Sequence, residues 1–385
     1  MKKFIKIFFF YLFIILLTVE IFLRLFLFCF TRYSQWEGKS GLFVYDSLLG
    51  WRGAPNRTVY VKTFESKFLV KNDSLGFRNN PYNGKKNGRK ILMYGDSFLW
   101  GYHLNNEELI SSRLSEELNV EVRNYGMVGY GTDQEYILFK GSVEDSSLVV
   151  FFFFNNDLQE ILSDNKGTKS SKPKFVVEKD SLILLNSPVD RTIRKTGKIK
   201  NGDKFKDFGI MFKVTRFLKL SLYKTKIYTV LSSYLQYTKF GKFLYEKNLL
   251  EPDLLKPDED PFNNIDWKGS LKIYEKLIVE VQKECKKRGC DLIVFMIPSE
   301  WTYQKELQKK MESLKLLYGY DGRYEEVMDS VEDVLRRNGI RYIYPLEDFR
   351  RADVNKKLTK KFDMHFSKDG AELVKDILKK EIEKF

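Results

Sequence analysis

Residues 148–154 read Leu-Val-Val-Phe-Phe-Phe-Phe, an unbroken apolar run with nothing polar to turn toward water. The strand predicted there, 147–153, must be covered on both faces, as happens in parallel sheets flanked by helices. Further strand patterns fall at 90–94, 119–124, 291–297 and 340–345, and helical patterns fall near 104–117, 133–142, 266–288, 322–338 and 367–384. Strands alternating with helices predict an α/β chain, a three-layer α/β/α sandwich built on a five-stranded parallel sheet of flavodoxin-like type. With 385 residues and 43% apolar content, the chain can bury a core of that size.

Before the sheet, 7–30 is nearly continuous Phe, Leu and Ile, preceded by Lys2, Lys3 and Lys6 and interrupted only by Glu20 and Arg24. As a helix rising 1.5 Å per residue, this stretch is long enough for a bilayer core of about 30 Å. A cleaved signal peptide is the competing reading, but the stretch is long for one and no small-x-small cleavage pattern follows. Glu20 and Arg24 lie four apart and can pair on one helical face. The leading lysines favour a cytoplasmic N-terminus, so the expected location is a single pass through the inner (cytoplasmic) membrane with the rest of the chain outside. The predicted organisation is therefore an anchor at 1–31, a turn-rich lead-in at 32–88, and a sheet domain at 89–385 carrying an insertion at about 165–260.

That insertion begins with a predicted hairpin at 172–185, turning around Lys179-Asp180-Ser181, and continues into a Phe-, Tyr- and Leu-rich stretch. From Lys213 to Lys247 it holds eight Lys or Arg against a single acid, Glu246. A basic amphipathic helix on a membrane surface and a cap packed on the core both fit. The net charge of +14 brings no aromatic-basic nucleic-acid motif with it, so nucleic acid is not an expected partner. Cys285 and Cys290 flank a helix-to-strand turn where a disulfide is possible but not required. With two histidines and three scattered cysteines, zinc-ligand spacing is absent and no metal or cofactor is expected.

In open α/β sheets, ligands bind beyond the carboxyl ends of the strands. Three polar clusters fall there: Gly95-Asp96-Ser97 after the first strand, Gly129 within Gly126-Met-Val-Gly129-Tyr-Gly131 after the second, and Asn156-Asp157 after the third. A serine on a tight strand-to-helix turn is exposed beside unpaired backbone N–H groups, although Gly-Asp-Ser also occurs in ordinary turns. Glycine at 129 lets an N–H approach a substrate oxygen, and the Asn156 amide is a side-chain donor of the same kind. Asp157 reads as a cap or turn residue. A serine nucleophile needs a base, and the chain has only His103 and His365. His103 lies six residues past Ser97 on a segment expected to run away from it, which leaves His365. Asp363, two residues earlier in an extended segment, can lie beside that imidazole. Ser367 is a good N-cap for the last helix.

Taken in order, these residues resemble the SGNH (GDSL-type) hydrolases. Gly95-Asp96-Ser97 matches the first block of that family, Gly129 the second, Phe154-Asn155-Asn156-Asp157 the third, and Asp363-Met364-His365 the last. Phe154 stands where the third block has glycine, and one residue rather than two separates Asp363 from His365. The likeness covers about 90–160 and 266–385. The apolar N-terminus with Glu20-Ile-Phe-Leu-Arg24, then Gly50-Trp51-Arg52 and Gly76-Phe77-Arg78, also looks like membrane-anchored bacterial members. The resemblance implies a Ser97, His365, Asp363 triad and an oxyanion hole from the Ser97 and Gly129 N–H groups and the Asn156 side chain. It further implies an esterase acting on O-acyl, above all O-acetyl, esters of an envelope glycan or lipid. An O-acyltransferase, a lipase or thioesterase, and an inactive glycan-binding protein are the alternatives.

Overall fold

The structure, a computed structural model, describes residues 2–34, 41–63, 65–82, 88–163, 165–166, 170–190, 238–240, 243, 266–318, 323–360 and 364–384. Most of the basic stretch at 209–250 and Asp363 lie outside these residues. The chain divides into two compact units, one of residues 1–35, 197–264 and 309–322, the other of 36–196, 265–308 and 323–385.

In the first unit, helix α1 (Lys2–Ser34) takes in the whole N-terminal apolar stretch. Its described side chains face outward, with Phe8 at 59%, Phe13 at 63% and Phe22 at 65% exposure. Among the described residues no helix is long and apolar enough to cross a membrane. Described side chains of α1 run without a break only from Lys6 to Phe22, about 25 Å of helix.

The second unit opens with two antiparallel hairpins, β1 (Phe43–Asp46) with β2 (Gly50–Gly53), and β3 (Thr58–Lys62) with β4 (Lys67–Lys71). Then come β5 (Ile91–Tyr94), the single-turn α2 (Ser97–Trp100), α3 (Ile110–Leu118), β6 (Val122–Asn124), α4 (Thr132–Ser142), β7 (Leu148–Phe153) and α5 (Asp157–Leu162). A two-residue pair, β8 (Asn165–Lys166) and β9 (Ser170–Ser171), leads into the hairpin β10 (Lys174–Glu178) and β11 (Ser181–Leu185). That hairpin turns where the sequence places it, with Lys179 and Asp180 both at positive φ, as a two-residue turn matched to strand twist requires. The chain continues through α6 (Trp267–Lys287), β12 (Asp291–Met296), the short α7 (Glu300–Tyr303), α8 (Lys305–Tyr318), α9 (Tyr324–Arg337), β13 (Arg341–Ile343), α10 (Leu346–Asp353) and α11 (Lys368–Ile382).

All five expected sheet strands are present, parallel, in the order β13-β12-β7-β5-β6. Every side chain of β7 is buried, and alternation along it supplies both layers. Phe152 joins Met93, Phe295 and the residues of α3 and α11 on one side. Phe151 and Phe153 pack on Phe139 of α4 and Tyr274 of α6 on the other. Each such aromatic ring contributes about 2 kcal/mol through burial. Helix boundaries differ from the expectation chiefly at 104–117, where a 3-10 turn, Asn106–Glu108, precedes a helix that starts only at Ile110. The short helices α2, α5, α7 and α10 fall below the length at which a 3.6-residue period can be read. Cys285 and Cys290 are free buried thiols, so the possible disulfide is not formed. Burial pushes the Cys285 thiol up to about 12.

Within the lead-in the backbone approaches itself closely. A Cβ on Gly53 would lie 1.9 Å from the Gly76 carbonyl oxygen. A Gly53→Ala substitution is therefore expected to cost about 2 kcal/mol or more, measured as a lower urea midpoint at unchanged m-value.

Candidate active site

Ser97 opens α2 directly after β5. Asp96 caps that turn, its Oδ1 accepting from the Phe98 N–H at 2.9 Å, and Gly101 ends it in the left-handed region. Gly95 admits the turn because a Cβ there would lie 2.8 Å from Phe152 Cβ on β7. Behind the turn sits Arg78, fully enclosed, donating to the carbonyl oxygens of Trp100, Gly101 and Leu104 and to Asn106 Oδ1. Its guanidinium lies 4.8 Å from the Trp100 ring centroid. Burial weighs against its charge, while Glu107 and Glu108 support it.

His365 reaches the same point from the far end of the chain, its Nε2 2.7 Å from Ser97 Oγ. The loop carrying it is closed by pairing of Thr359 with Phe366 and by the bond from Lys360 N–H to the His365 carbonyl, 3.0 Å. Ser367 caps α11, accepting from Gly370 N–H. The imidazole lies between Phe98 and Tyr102, with ring centroids 4.9 and 4.8 Å away. The expectation that His103 runs away from the site needs correction. Its ring centroid is 6.2 Å from that of His365, because Gly101 and then His103 itself at φ 74° fold the segment back. Its Nδ1 is engaged by Ser66 Oγ at 2.6 Å, which places it in the scaffold. Asp363 lies outside the described residues.

Asn156 stands at the N-cap of α5, half-buried, with Nδ2 3.4 Å from Asp96 Oδ2. The Asp96 oxygen takes one of the two amide hydrogens. Gly129 adopts φ 75° in a loop tied to the Ser97 turn by Met127 N–H to Gly95 O, 3.0 Å. Trp51 Nε1 holds the adjacent Val128 carbonyl at 3.0 Å, and Gln134 Nε2 holds the Leu49 carbonyl at 2.7 Å. Patterning in the sequence does not reveal the roles of Trp51 and Arg78. The one available signal is the pairing of Gly50-Trp51-Arg52 with Gly76-Phe77-Arg78 in the family resemblance.

No family model and no curated protein matches the chain. Similar solved structures include a member of the lipolytic G-D-S-L family from Veillonella parvula, with 11% identity over 76% of this chain and 97% of that one at a TM-score of 0.36. A lipase/acylhydrolase from Enterococcus faecalis shares 15% identity over 77% and 95% at 0.34. An acetylxylan esterase from Geobacillus stearothermophilus shares 11% over 78% and 96% at 0.37. These likenesses are too distant to carry chemistry, and the reading of the site rests on its own geometry.

Beneath the site lies a set of enclosed carboxyls, of which the sequence points only to Asp157, there as a cap or turn residue. Asp157 is fully buried at the start of α5, its Oδ2 accepting from Phe154 N–H at 3.3 Å and Thr132 Oγ1 at 3.5 Å. Its Oδ1 and both carboxyl oxygens of Glu135 have no hydrogen-bond partner among the described residues. Burial first, then neighbouring carboxylates including Asp96, push both groups well above the ordinary carboxyl range. Both carboxyls are therefore biased toward their neutral form. In the unfolded chain a glutamate ionises above about 4.3, so holding Glu135 neutral costs stability progressively as pH rises from there toward its folded pKa. Glu135→Gln removes that cost. The variant is expected to match the parent in Tm near pH 4 and exceed it by a growing margin as pH rises from there, as read by calorimetry across pH.

Proposed function

We propose that the chain is a serine ester hydrolase in which Ser97 is the nucleophile and His365 the general base. The observation that carries this is the 2.7 Å approach of His365 Nε2 to Ser97 Oγ, with the Asn156 amide donating to the carboxylate of Asp96, the residue before the serine. Nε2 accepts the Ser97 proton as Oγ bonds to the ester carbonyl carbon. The oxyanion that forms is met by the Ser97 and Gly129 N–H groups and the free Asn156 hydrogen. Collapse breaks the bond to the alcohol, which leaves with the proton from His365. Water, deprotonated by His365, then attacks the acyl-serine and releases the acid. Asp363 completes the set by accepting from Nδ1–H, so that Nε2 is the bare nitrogen.

The substrate we infer is an O-acylated, chiefly O-acetylated, glycan or lipid of the cell envelope. Supporting that location is α1, whose described apolar side chains face outward, with the leading lysines holding its start in the cytoplasm. The site would then work on the outer side of the inner membrane.

A fluorophosphonate probe tests the nucleophile. The full-length chain is expected to be labelled, and Ser97→Ala and His365→Ala to lose labelling and at least about a thousandfold of ester hydrolysis. Labelling that persists in Ser97→Ala overturns the assignment. Asp363→Asn should cost about tenfold less than either, since serine and histidine act as a unit and the carboxylate supports them. Hydrolysis of para-nitrophenyl acetate exceeding that of the long-chain ester supports the short acyl group. The reverse preference points to membrane lipid.

A further inference from the structure

Lys172 lies just before β10, outside the sheet-and-helix core, yet its side chain is fully buried. Its ammonium donates to Asp133 Oδ1 at 2.9 Å and Oδ2 at 2.6 Å, and to the Glu160 carbonyl oxygen at 2.5 Å. Those acceptors belong to the two elements that follow the expected oxyanion donors. Asp133 sits in the first turn of α4, which is capped by Gly131, two residues past Gly129. Glu160 sits in α5, and its N–H bonds to the carbonyl of Asn156 at 2.9 Å. The two helices also touch directly there, since a Cβ on Gly131 would lie 2.7 Å from Glu160 Cβ. Asn186, just past β11, donates to the Lys172 carbonyl and so holds the lysine from the hairpin side.

A lysine buried in this way carries a desolvation cost that only close partners offset. A plain structural tie between two helices needs no charge, and an apolar side chain would serve. A cation joining Asp133 to the end of α5 instead fixes the separation of the Gly129 loop from Asn156 to within hydrogen-bond tolerance. We propose that Lys172 is a positioning residue that sets the spacing of the two oxyanion donors, so that the insertion is coupled to the rate of the chemical step. This inference rests on the esterase reading.

The test compares the full-length chain with the neutral pair Lys172→Met/Asp133→Asn, which leaves no buried charge unpaired. The expected result is a kcat for para-nitrophenyl acetate about tenfold or more lower, because small misplacements of reacting groups are costly, with KM within twofold and Tm close to the parent. Hydrogen exchange at 127–133 and 154–160 is expected to quicken in the variant. Wild-type kcat together with unchanged exchange in the folded double variant overturns the proposal. Should that variant not fold, Lys172→Arg keeps the cation while changing its reach, and full kcat with unchanged exchange in that protein overturns the proposal equally. The exchange measurement separates the two claims. Absence of Ser97-dependent hydrolysis in the parent overturns the esterase reading, whereas faster exchange of both loops still supports the bridge.

Discussion

The requirement to cover both faces of β7 organises this protein. Phe152 on one side and Phe151 and Phe153 on the other leave no solvent-facing edge to the strand, so helices must lie on each face and neighbouring strands must run parallel. Parallel strands place all their carboxyl ends on one edge. Ser97, Gly129 and Asn156 follow β5, β6 and β7 for that reason, and three residues scattered over sixty positions meet along one line.

Sheet geometry brings the loops near each other, and polar groups then fix them. Asp96 caps the Ser97 turn with one oxygen and accepts from the Asn156 amide with the other. Arg78 ties down the backbone beyond the turn, and Trp51 holds the carbonyl before Gly129. Both residues come from the region preceding β5, Trp51 from the first hairpin and Arg78 from the loop after the second, so that region acts as a brace for the loops. Buried donors aimed at carbonyls also leave those loops little freedom, since breaking any one bond strands a polar group.

Much of this is legible in the chain and some is not, for physical reasons. Apolar period marks β5, β7 and β12 because burial on both faces leaves an unbroken signature, and β6 and β13 follow from alternation with helices. Pairing of Ser97 with His365 follows from scarcity, as a chain with two histidines offers few bases. His103 shows the limit of that reasoning. Its separation from Ser97 suggests distance, but two positive-φ residues turn the segment back toward His365. Lys172 with Asp133, and the neutral Glu135 with Asp157, are invisible for a different reason. Charged residue types read as surface, and only three-dimensional packing shows that they are enclosed.

The carboxyls beneath the site also bear on why Asp96 can serve Asn156. A carboxylate accepting from both the Phe98 N–H and the Asn156 amide is stabilised as an anion. Were Asp157 and Glu135 ionised as well, three like charges would share one low-dielectric region, and repulsion would favour protonating Asp96. A protonated Asp96 has less capacity to accept, and the Asn156 amide would lose its orienting partner. Burial that pushes the Glu135 and Asp157 carboxyls toward their neutral form lessens the like charge around Asp96. Lys172 does the same on the other flank by neutralising Asp133. The charge pattern below the strands thus places Asp96, which accepts from the Phe98 N–H and the Asn156 amide, directly before the serine.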